Sequence, residues 1–506
     1  MEAIESLRQG VREGRIGAER LLDLLEALMR RLDGLTQQLE AAQQRVAELE
    51  RKINEAPAKL DEPFSLRAEE KRQEERRKKK RVKKRKNKSG RIRTQDKIDR
   101  AERIERVFPQ DVPESECTLS HTRPVWRLEQ GRAALIAYQI YRGPKNQYGK
   151  IPGVLGRSEF GLEIVVQLVF LIHVTGLSFD KACGILLFFQ NLRLSKSQAD
   201  ALLRQLARRW EREFETLCTL LANSAVVHAD ETSWSIHSVW ALLSEKARIL
   251  LFGVHKDAAT LKALLDPATF AGLVISDDAA VYGNFSTAQK CWAHLLRKAI
   301  KLTLQEPNNA AYREFTDQLL AIYRDACRVQ RDGRLGDAGR ARKAIGLADA
   351  IFDLCMKWCC QPLSRYHGLA RDFRLLNHEL FRLMSNDELF AFVTAPPVEQ
   401  IDGTTEPVSG TNNEAERTLR DPALARKTGR TNKTLAGARR QTILKSVLES
   451  LRLYVPTFTL KAVVEEIQSW SRQGASCFER LKRKLKLTSP KKPALDRLYP
   501  QPMPTG

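Results

Sequence analysis

A change of pattern at Val226 constrains the fold of this chain more than any other feature of its sequence. From there, three short apolar runs separated by brief turns predict consecutive strands at 226–236, 239–243 and 249–254. A helix is expected at 257–265, and the apolar run Leu273–Ser276 predicts another strand before a further helix. Strand, strand, strand, helix, strand, helix is the order of a ribonuclease-H-like α/β domain.

Residues 21–53 carry a heptad pattern, which predicts a coiled-coil oligomerisation helix over 1–56. Apolar residues recur every seven positions at Leu25, Leu32, Leu39, Val46 and Ile53. Such a repeat keeps one stripe of the helix facing a partner helix. A helix packed on its own domain is the alternative, but the polar residues between Gln37 and Lys52 favour self-association as a homo-oligomer.

A block of positive charge follows, over 57–95. The chain has 85 Lys and Arg against 62 Asp and Glu, a net charge of +23, and residues 71–93 alone hold 15 Lys and Arg with two acids. Like charges repel, so we expect a disordered arm that binds the DNA backbone without sequence preference. A solubilising linker is the alternative. The candidate DNA-binding residues here are Lys78, Lys79, Lys80, Arg81, Lys83, Lys84, Arg85 and Lys86.

Residues 96–222 have a mostly helical pattern and are expected to form a helical DNA-binding region. Ser178 and Ser195 each precede a helix and can cap its free N–H groups. Two helices joined by a short turn resemble a helix-turn-helix, although a purely structural role is at least as well supported. The apolar stretch 164–177 is too short to span a bilayer and predicts a buried helix.

Composition and apolar pattern predict the organisation of the remaining segments. We expect the α/β domain at 223–305 to be interrupted by a helical insertion at 306–405 and to resume at 406–475 with C-terminal helices. Residues 476–506 are basic and contain several prolines, which predicts a loose tail. The nine cysteines are scattered, and no apolar signal segment opens the sequence, so a reducing cytoplasmic compartment is expected.

Three acids stand where strands and helices can present them. Asp230 lies within the first strand of the α/β domain, and Asp277 directly follows the strand Leu273–Ser276. Glu416 lies at the start of a helix, on the same face as Asn413, Arg417 and Arg420, whereas Glu414 points away. Carboxylates that meet at a sheet edge repel one another, and Mg²⁺ or Mn²⁺ relieves that repulsion. Two ions per site are expected, since a metal pair assists in-line displacement at phosphorus.

Four motifs carry a resemblance to a known family. They are His228-Ala-Asp-Glu-Thr, Ile275-Ser-Asp-Asp-Ala-Ala-Val-Tyr, Cys291-Trp-Ala-His-Leu-Leu-Arg-Lys and Thr411-Asn-Asn-Glu-Ala-Glu-Arg-Thr-Leu-Arg. Together they resemble the transposases of the insertion sequence 66 family, in order over about 226–452. The resemblance implies an Asp-Asp-Glu triad on a ribonuclease-H-like fold, and it extends to the N-terminal coiled coil.

The resemblance also implies which residues form the triad. The first Asp falls on Asp230, and the second on Asp277, because the family places a Tyr five residues later and Tyr282 has that spacing; Asp278 is the alternative. The Glu that precedes an Arg in the family's motif matches Glu416, as the helix-face argument does. Further candidate DNA contacts are Arg297, Lys298, Arg417, Arg420, Arg426 and Lys427.

Zinc is not expected. Cys291, Trp292 and His294 have no further ligand nearby in sequence, so packing is the expected role of the first two. Relatives carry a cysteine-rich zinc segment before the helical region, whereas here only Cys117 and His121 occupy that stretch.

The sequence therefore predicts a DNA transposase that cleaves transposon ends and transfers the strands into double-stranded target DNA. Its expected place is the bacterial cytoplasm, in association with the nucleoid. Accessory proteins encoded by the same element are further candidate partners. The alternative is a catalytically inactive, domesticated descendant that binds DNA as a regulator or architectural protein.

Overall fold

The computed structural model describes residues 93–359 and 367–500, with separate positions between 26 and 45 and at 70 and 72–75. The chain divides into two units, Met1–Gly90 and Arg91–Gly506. The described residues of the first unit are helical. The heptad positions from Leu21 to Ile53 and the basic residues from Lys78 to Lys86 lie outside the described residues. None of the described helices is long and apolar enough to cross a membrane.

The second unit is a mixed α/β structure. Its strands are β1 Arg103–Val107, β2 Thr118–Glu129, β3 Arg132–Arg142, β4 Val226–Ser233, β5 Ser238–Leu243, β6 Arg248–Val254, β7 Leu273–Ser276, β8 Ala288–Lys290, β9 Val398–Glu399 and β10 Thr405–Glu406. The helices before β8 are α1 Thr94–Ile98, α2 Leu162–Val169, α3 Phe179–Gln190, α4 Lys196–Leu221 and α5 Ala258–Lys262. Those after it are α6 Trp292–Gln305, α7 Ala310–Arg331, α8 Asp337–Cys359, α9 His367–Ser385, α10 Ala391–Thr394, α11 Asn413–Lys427, α12 Leu435–Tyr454, α13 Leu460–Gln473, α14 Cys477–Lys484 and α15 Ala494–Leu498.

A three-stranded sheet in the order β1-β3-β2 corrects the expectation that 96–222 is mostly helical. The strand β3 misled the sequence argument because its residues from Ala133 to Tyr138 are all buried. A central strand covered on both faces lacks the alternation that marks a strand in sequence. The turn before it, Gln130-Gly131, has positive φ at both residues, as tight hairpins require.

From α2 to α4 this region is mostly helical. Ser178 Oγ accepts a hydrogen bond from Lys181 N at 3.2 Å, and Ser195 with Gln198 forms a capping box at the start of α4. The expected buried helix at 164–177 is α2, which continues as a π-helical turn at Phe170–Val174. One face of α4 is buried in the larger hydrophobic core. Of the two helices that resemble a helix-turn-helix, α3 and α4, the second therefore has a structural role.

The five-stranded sheet has the order β6-β5-β4-β7-β8. The strands β4, β5 and β6 are antiparallel neighbours, whereas β4, β7 and β8 run parallel. Alternate residues of β7 enter different cores. Val274 packs in the main core, while Leu273 and Ile275 pack in a second core built mainly by α6 and by α7–α10, the helices of the insertion.

The helix α12 covers the edge strand β6 with a row of hydroxyl groups. Thr442, Ser446 and Ser450 accept hydrogen bonds from the backbone N–H groups of Phe252, Leu250 and Arg248, each at 2.9 Å. Ser446 and Ser450 also donate to the carbonyl groups of Leu250 and Arg248. We call these three side chains the hydroxyl row. They satisfy backbone groups that an edge strand otherwise leaves open.

The expectation of a loose tail from 476 is wrong for 477–499. Phe478 is fully buried and Leu495 is 2% exposed. The carboxylate of Glu215 on α4 accepts hydrogen bonds from Ala494 N at 2.6 Å and Leu495 N at 2.8 Å. The charged residues of this segment obscured its few apolar anchors, because only a small part of such a short helix must be buried to hold it in place.

Candidate active site

The register of β4 and β7 brings the two predicted aspartates together. Val227 pairs with Val274 and His228 with Ile275 in the parallel ladder. Two residues further along the same register, Asp230 lies level with Asp277. The sequence indicates Asp230 within its strand and Asp277 directly after the next parallel strand, but the pairing that makes them neighbours is a property of the sheet.

Asp230 has an environment that penalises its charge. Burial and the charge of Glu231, with smaller contributions from Asp277 and Glu416, raise the pKa of Asp230 to about 7. The N–H of Glu231 donates to Asp230 Oδ1 at 2.9 Å and opposes the shift. A buried carboxyl group whose pKa is raised in part by neighbouring carboxylates favours a divalent cation as its counter-charge.

Asp277 and Asp278 are adjacent in sequence but have different partners. Asp277 Oδ1 accepts a hydrogen bond from Ala279 N at 3.1 Å. Asp278 forms an ion pair with Arg382 on α9, which raises the pKa of that guanidinium. Asp277 thus belongs to the group around Asp230, while Asp278 connects the loop to the helical insertion.

Glu416 and Glu414 point in different directions from α11 and have different partners, as their spacing on a helix predicts. Glu414 pairs with Arg248 Nη2 at 2.5 Å, on the antiparallel side of the sheet. Glu416 Oε1 lies 2.7 Å from Arg297 Nη2 and 3.3 Å from His294 Nδ1, both on α6. The expected neighbours of Glu416 were Arg417 or Arg420, but its ion-pair partners among the described residues are on α6.

Burial lowers the pKa of His294, although Glu416 opposes that shift. The imidazole is therefore neutral near pH 7 and presents a lone pair. Cys291, which precedes α6, is 1% exposed, and its Sγ accepts a hydrogen bond from Asn412 N at 3.1 Å. The expected packing role holds for the buried Trp292, whereas Cys291 and His294 face Glu416, and the ligand atoms of these three lie within 4.8 Å of one another.

A buried network beside Asp230 was missed by the sequence argument. Tyr282 donates a hydrogen bond to Glu231, and Lys256 Nζ lies 2.7 Å from Glu231 Oε1. The side chain of Glu231 is 1% exposed. Tyr282 had served only as a spacing marker, yet its hydroxyl ties the loop after Asp277 to β4.

The predicted DNA contacts fall into three groups. Those in the basic arm lie outside the described residues. Arg297 and Lys298 are engaged by acids, Glu416 and Glu379 respectively, and Arg426 donates to Ser233 O at 2.8 Å. The exposed members on α11 are Arg417, Arg420 and Lys427.

A cavity of about 720 Å³ opens beside Asp277, between α6 and α9. Its lining includes His294, Lys298 and Arg382. Of the three candidate acids, Asp277 thus lies in the wall of a large recess of the kind that admits a ligand.

Comparison with models of known protein families matches residues 157–440 to the one described as Transposase IS66 family. The match covers more than half of the chain and includes all three predicted acids. No curated protein matches the chain.

Proposed function

The chain belongs to the Transposase IS66 family, and from that premise we propose that it is a DNA transposase with a metal-dependent active site at Asp230, Asp277 and Glu416. It cleaves DNA at the ends of a mobile element and transfers the freed 3′-hydroxyl groups into target DNA. The observation that carries this proposal is the placement of the acids around the β4–β7 junction, where burial, the charge of Glu231 and, to a smaller extent, the charges of Asp277 and Glu416 raise the pKa of Asp230 to about 7.

The sheet supports a ribonuclease-H-like catalytic domain. Three antiparallel strands are joined to two parallel ones, in the order β6-β5-β4-β7-β8, and the first two acids lie at the junction of the two parts. The third acid arrives from α11, after the helical insertion. Ligand sites in α/β sheets lie at such points, beside the carboxyl ends of parallel strands.

The donor set fits Mg²⁺ or Mn²⁺. Asp230, Asp277 and Glu416 offer carboxylate oxygens, which hard cations prefer. Such an ion, when bound, supplies a Lewis acid that activates a hydroxyl nucleophile and stabilises the charge on the leaving oxygen. Because Asp278 is paired with Arg382, Asp277 is the better candidate for the second acid of the triad.

Neighbouring side chains position the acids. Glu231 accepts from Tyr282 and pairs with Lys256, which holds the Asp277 loop against β4. Arg297 pairs with Glu416 and fixes the start of α11 against α6. These contacts orient the carboxylates before DNA arrives, and such preorganisation lowers the cost of reaching the reactive geometry.

DNA binding is proposed to use the basic arm and the exposed cations of α11. Phosphates attract such side chains through counterion release. We further propose that the heptad segment joins copies of the chain so that two DNA ends are held in one complex on the bacterial nucleoid.

The test is strand cleavage and joining by the full chain on DNA carrying the element's own ends, with Mg²⁺ or Mn²⁺. We expect Asp230→Asn, Asp277→Asn and Glu416→Gln each to lose on the order of 10²–10³-fold or more in rate, the cost of removing a key electrostatic group. The matched controls Asp278→Asn and Glu414→Gln should retain activity. Full activity of any of the first three variants removes that residue from the proposed site, and tight DNA binding without cleavage by the wild type overturns the enzymatic proposal.

A further inference from the structure

A cysteine, a histidine and a glutamate converge at the junction of α6 and α11. Cys291 and His294 are three residues apart at the start of α6, and Glu416 comes from α11. Their ligand atoms, one from each residue, all lie within 4.8 Å of one another. In the sequence the Cys–His pair has no third ligand nearby, and the fold supplies one from more than a hundred residues away.

The three groups are placed as ligands rather than as a closed hydrogen-bonded cluster. His294 Nδ1 is buried and makes no hydrogen bond within the part of the chain that the structure describes. It lies 3.3 Å from Glu416 Oε1. A buried nitrogen without a hydrogen bond is costly unless something else satisfies it, and a metal ion does so.

Burial raises the pKa of the Cys291 thiol, and backbone N–H groups around its sulfur oppose that shift. Its Sγ accepts the backbone N–H of Asn412 at 3.1 Å, and Cys291 itself is the residue that precedes the first turn of α6. Backbone N–H groups at a helix start favour negative charge. A bound metal ion would overcome the cost of burial, because coordinated thiols lose their proton.

We propose that Cys291, His294 and Glu416 form a binding site for a divalent transition metal, with Zn²⁺ as the best match. Thiolate, imidazole and carboxylate are the three ligand types of zinc proteins, and hard Mg²⁺ disfavours the first two. Three protein ligands leave a coordination position open. Arg297, which now pairs with Glu416, has a side chain that is 56% exposed, so it can move into solvent when the ion binds.

This site shares Glu416 with the proposed active site. Bound Zn²⁺ therefore withdraws one of the three acids from Mg²⁺ or Mn²⁺ and inhibits the enzyme. That consequence rests on the proposed function, whereas zinc binding itself does not.

Co²⁺ is the probe for binding, because a cobalt–thiolate bond gives a charge-transfer absorption band. We expect the metal-free full chain to bind Co²⁺ with such a band and to release it when Zn²⁺ is added. Cys291→Ser should abolish the band, and His294→Ala should weaken Zn²⁺ binding at least about 10-fold, since even indirect metal-site substitutions cost that much. Circular dichroism checks that both variants fold.

The matched controls are Cys117→Ser, a thiol elsewhere in the chain, and Glu414→Gln, beside Glu416 but paired with Arg248. Both should bind Co²⁺ as the wild type does. A thiolate band that survives Cys291→Ser, or Zn²⁺ affinity unchanged by His294→Ala in the folded protein, overturns the proposal.

The shared ligand is tested by the paramagnetic resonance of Mn²⁺. We expect Zn²⁺ to weaken Mn²⁺ binding in the wild type and to lose that effect in Cys291→Ser. If the cobalt band is present and DNA cleavage is absent, the zinc site stands and the proposed function fails. If cleavage occurs and the band is absent, the reverse holds.

Discussion

Buried polar groups have opposite surroundings on the two sides of the five-stranded sheet: on one side they are paired, and on the other they repel one another. On the β6 side, the hydroxyl row of α12 pairs with the free backbone N–H groups at 2.9 Å. At the β4–β7 junction, burial and the charges of Glu231, Asp277 and Glu416 raise the pKa of Asp230 to about 7. Paired neutral groups stabilise a fold, whereas charges held close together against their repulsion indicate a site for a ligand.

The largest effect is expected from removing the hydroxyl row with Thr442→Val, Ser446→Ala and Ser450→Ala together. An unsatisfied buried donor costs about 1–3 kcal/mol, so the free energy of unfolding should fall by about 3 kcal/mol or more. Urea unfolding measures it. The control Ser385→Ala removes an exposed hydroxyl that bonds Phe381 O in its own helix, and it should change stability by less than about 0.5 kcal/mol. A triple variant as stable as the control removes the contrast between the two sides.

The next effect concerns Asp230 and pH. Its carboxyl binds a proton more tightly in the folded chain than in the unfolded one, so the free energy of unfolding falls as pH rises from about 4 to about 7. The shift from 3.8 to about 7 sets an upper limit of about 4 kcal/mol, which the partial exposure of the side chain reduces.

Asp230→Asn removes the repulsion and should flatten that pH dependence in metal-free protein. It should raise stability near pH 8 while abolishing strand cleavage. Urea unfolding from about pH 4 to about pH 8 checks this, with Asp278→Asn as the control, which should keep the slope. An unchanged slope in Asp230→Asn shows that another group titrates.

Tyr282→Phe sharpens the comparison within the site. The substitution removes a hydrogen bond to the buried carboxylate of Glu231, and such bonds to charged groups contribute about 1.5–3 kcal/mol. Cleavage should also slow, because the Asp277 loop is less firmly held. Tyr454→Phe loses a hydrogen bond to Lys246 O, far from the acids, and should lower stability without slowing cleavage per folded molecule. Equal loss of activity in the two variants refutes a positioning role for Tyr282.

The smallest effect on stability is expected from Arg297→Met. Its ion pair with Glu416 is partly exposed, and such pairs contribute less than about 1 kcal/mol. Mn²⁺ should bind more tightly, because a competing cation is gone, and calorimetric titration measures this. Arg313→Met, an exposed cation on α7, is the control and should leave Mn²⁺ affinity unchanged.

Local patterns were sufficient to predict β4–β7 and the helices that Ser178 and Ser195 cap. Apolar runs, turns and caps each act over a few residues, and all are visible in one stretch of sequence. The strand β3 was not predicted, because burial on both faces removes the alternation of apolar and polar residues. The helices after Ser476 were not predicted either, because few apolar residues anchor them.

The candidate site shows the same division. The positions of Asp230, Asp277 and Glu416 on their elements followed from local pattern and motif. The partner of Glu416 did not, since Arg297 lies 119 positions earlier in the chain. The helix α6 packs with the insertion, whereas α11 packs in another core with the strands β5 and β6, and no local period in the sequence encodes how these two cores bring the helices together.

The strand β7 has a consequence for how this protein unfolds. Since alternate residues of the strand pack in different cores, neither core can unfold without exposing one face of β7 to solvent. The insertion is therefore expected to unfold together with the α/β domain in a single thermal transition. Deleting the insertion should leave Leu273 and Ile275 exposed as an apolar surface that promotes aggregation. Heating would then disable Asp277 in the same event that releases the insertion.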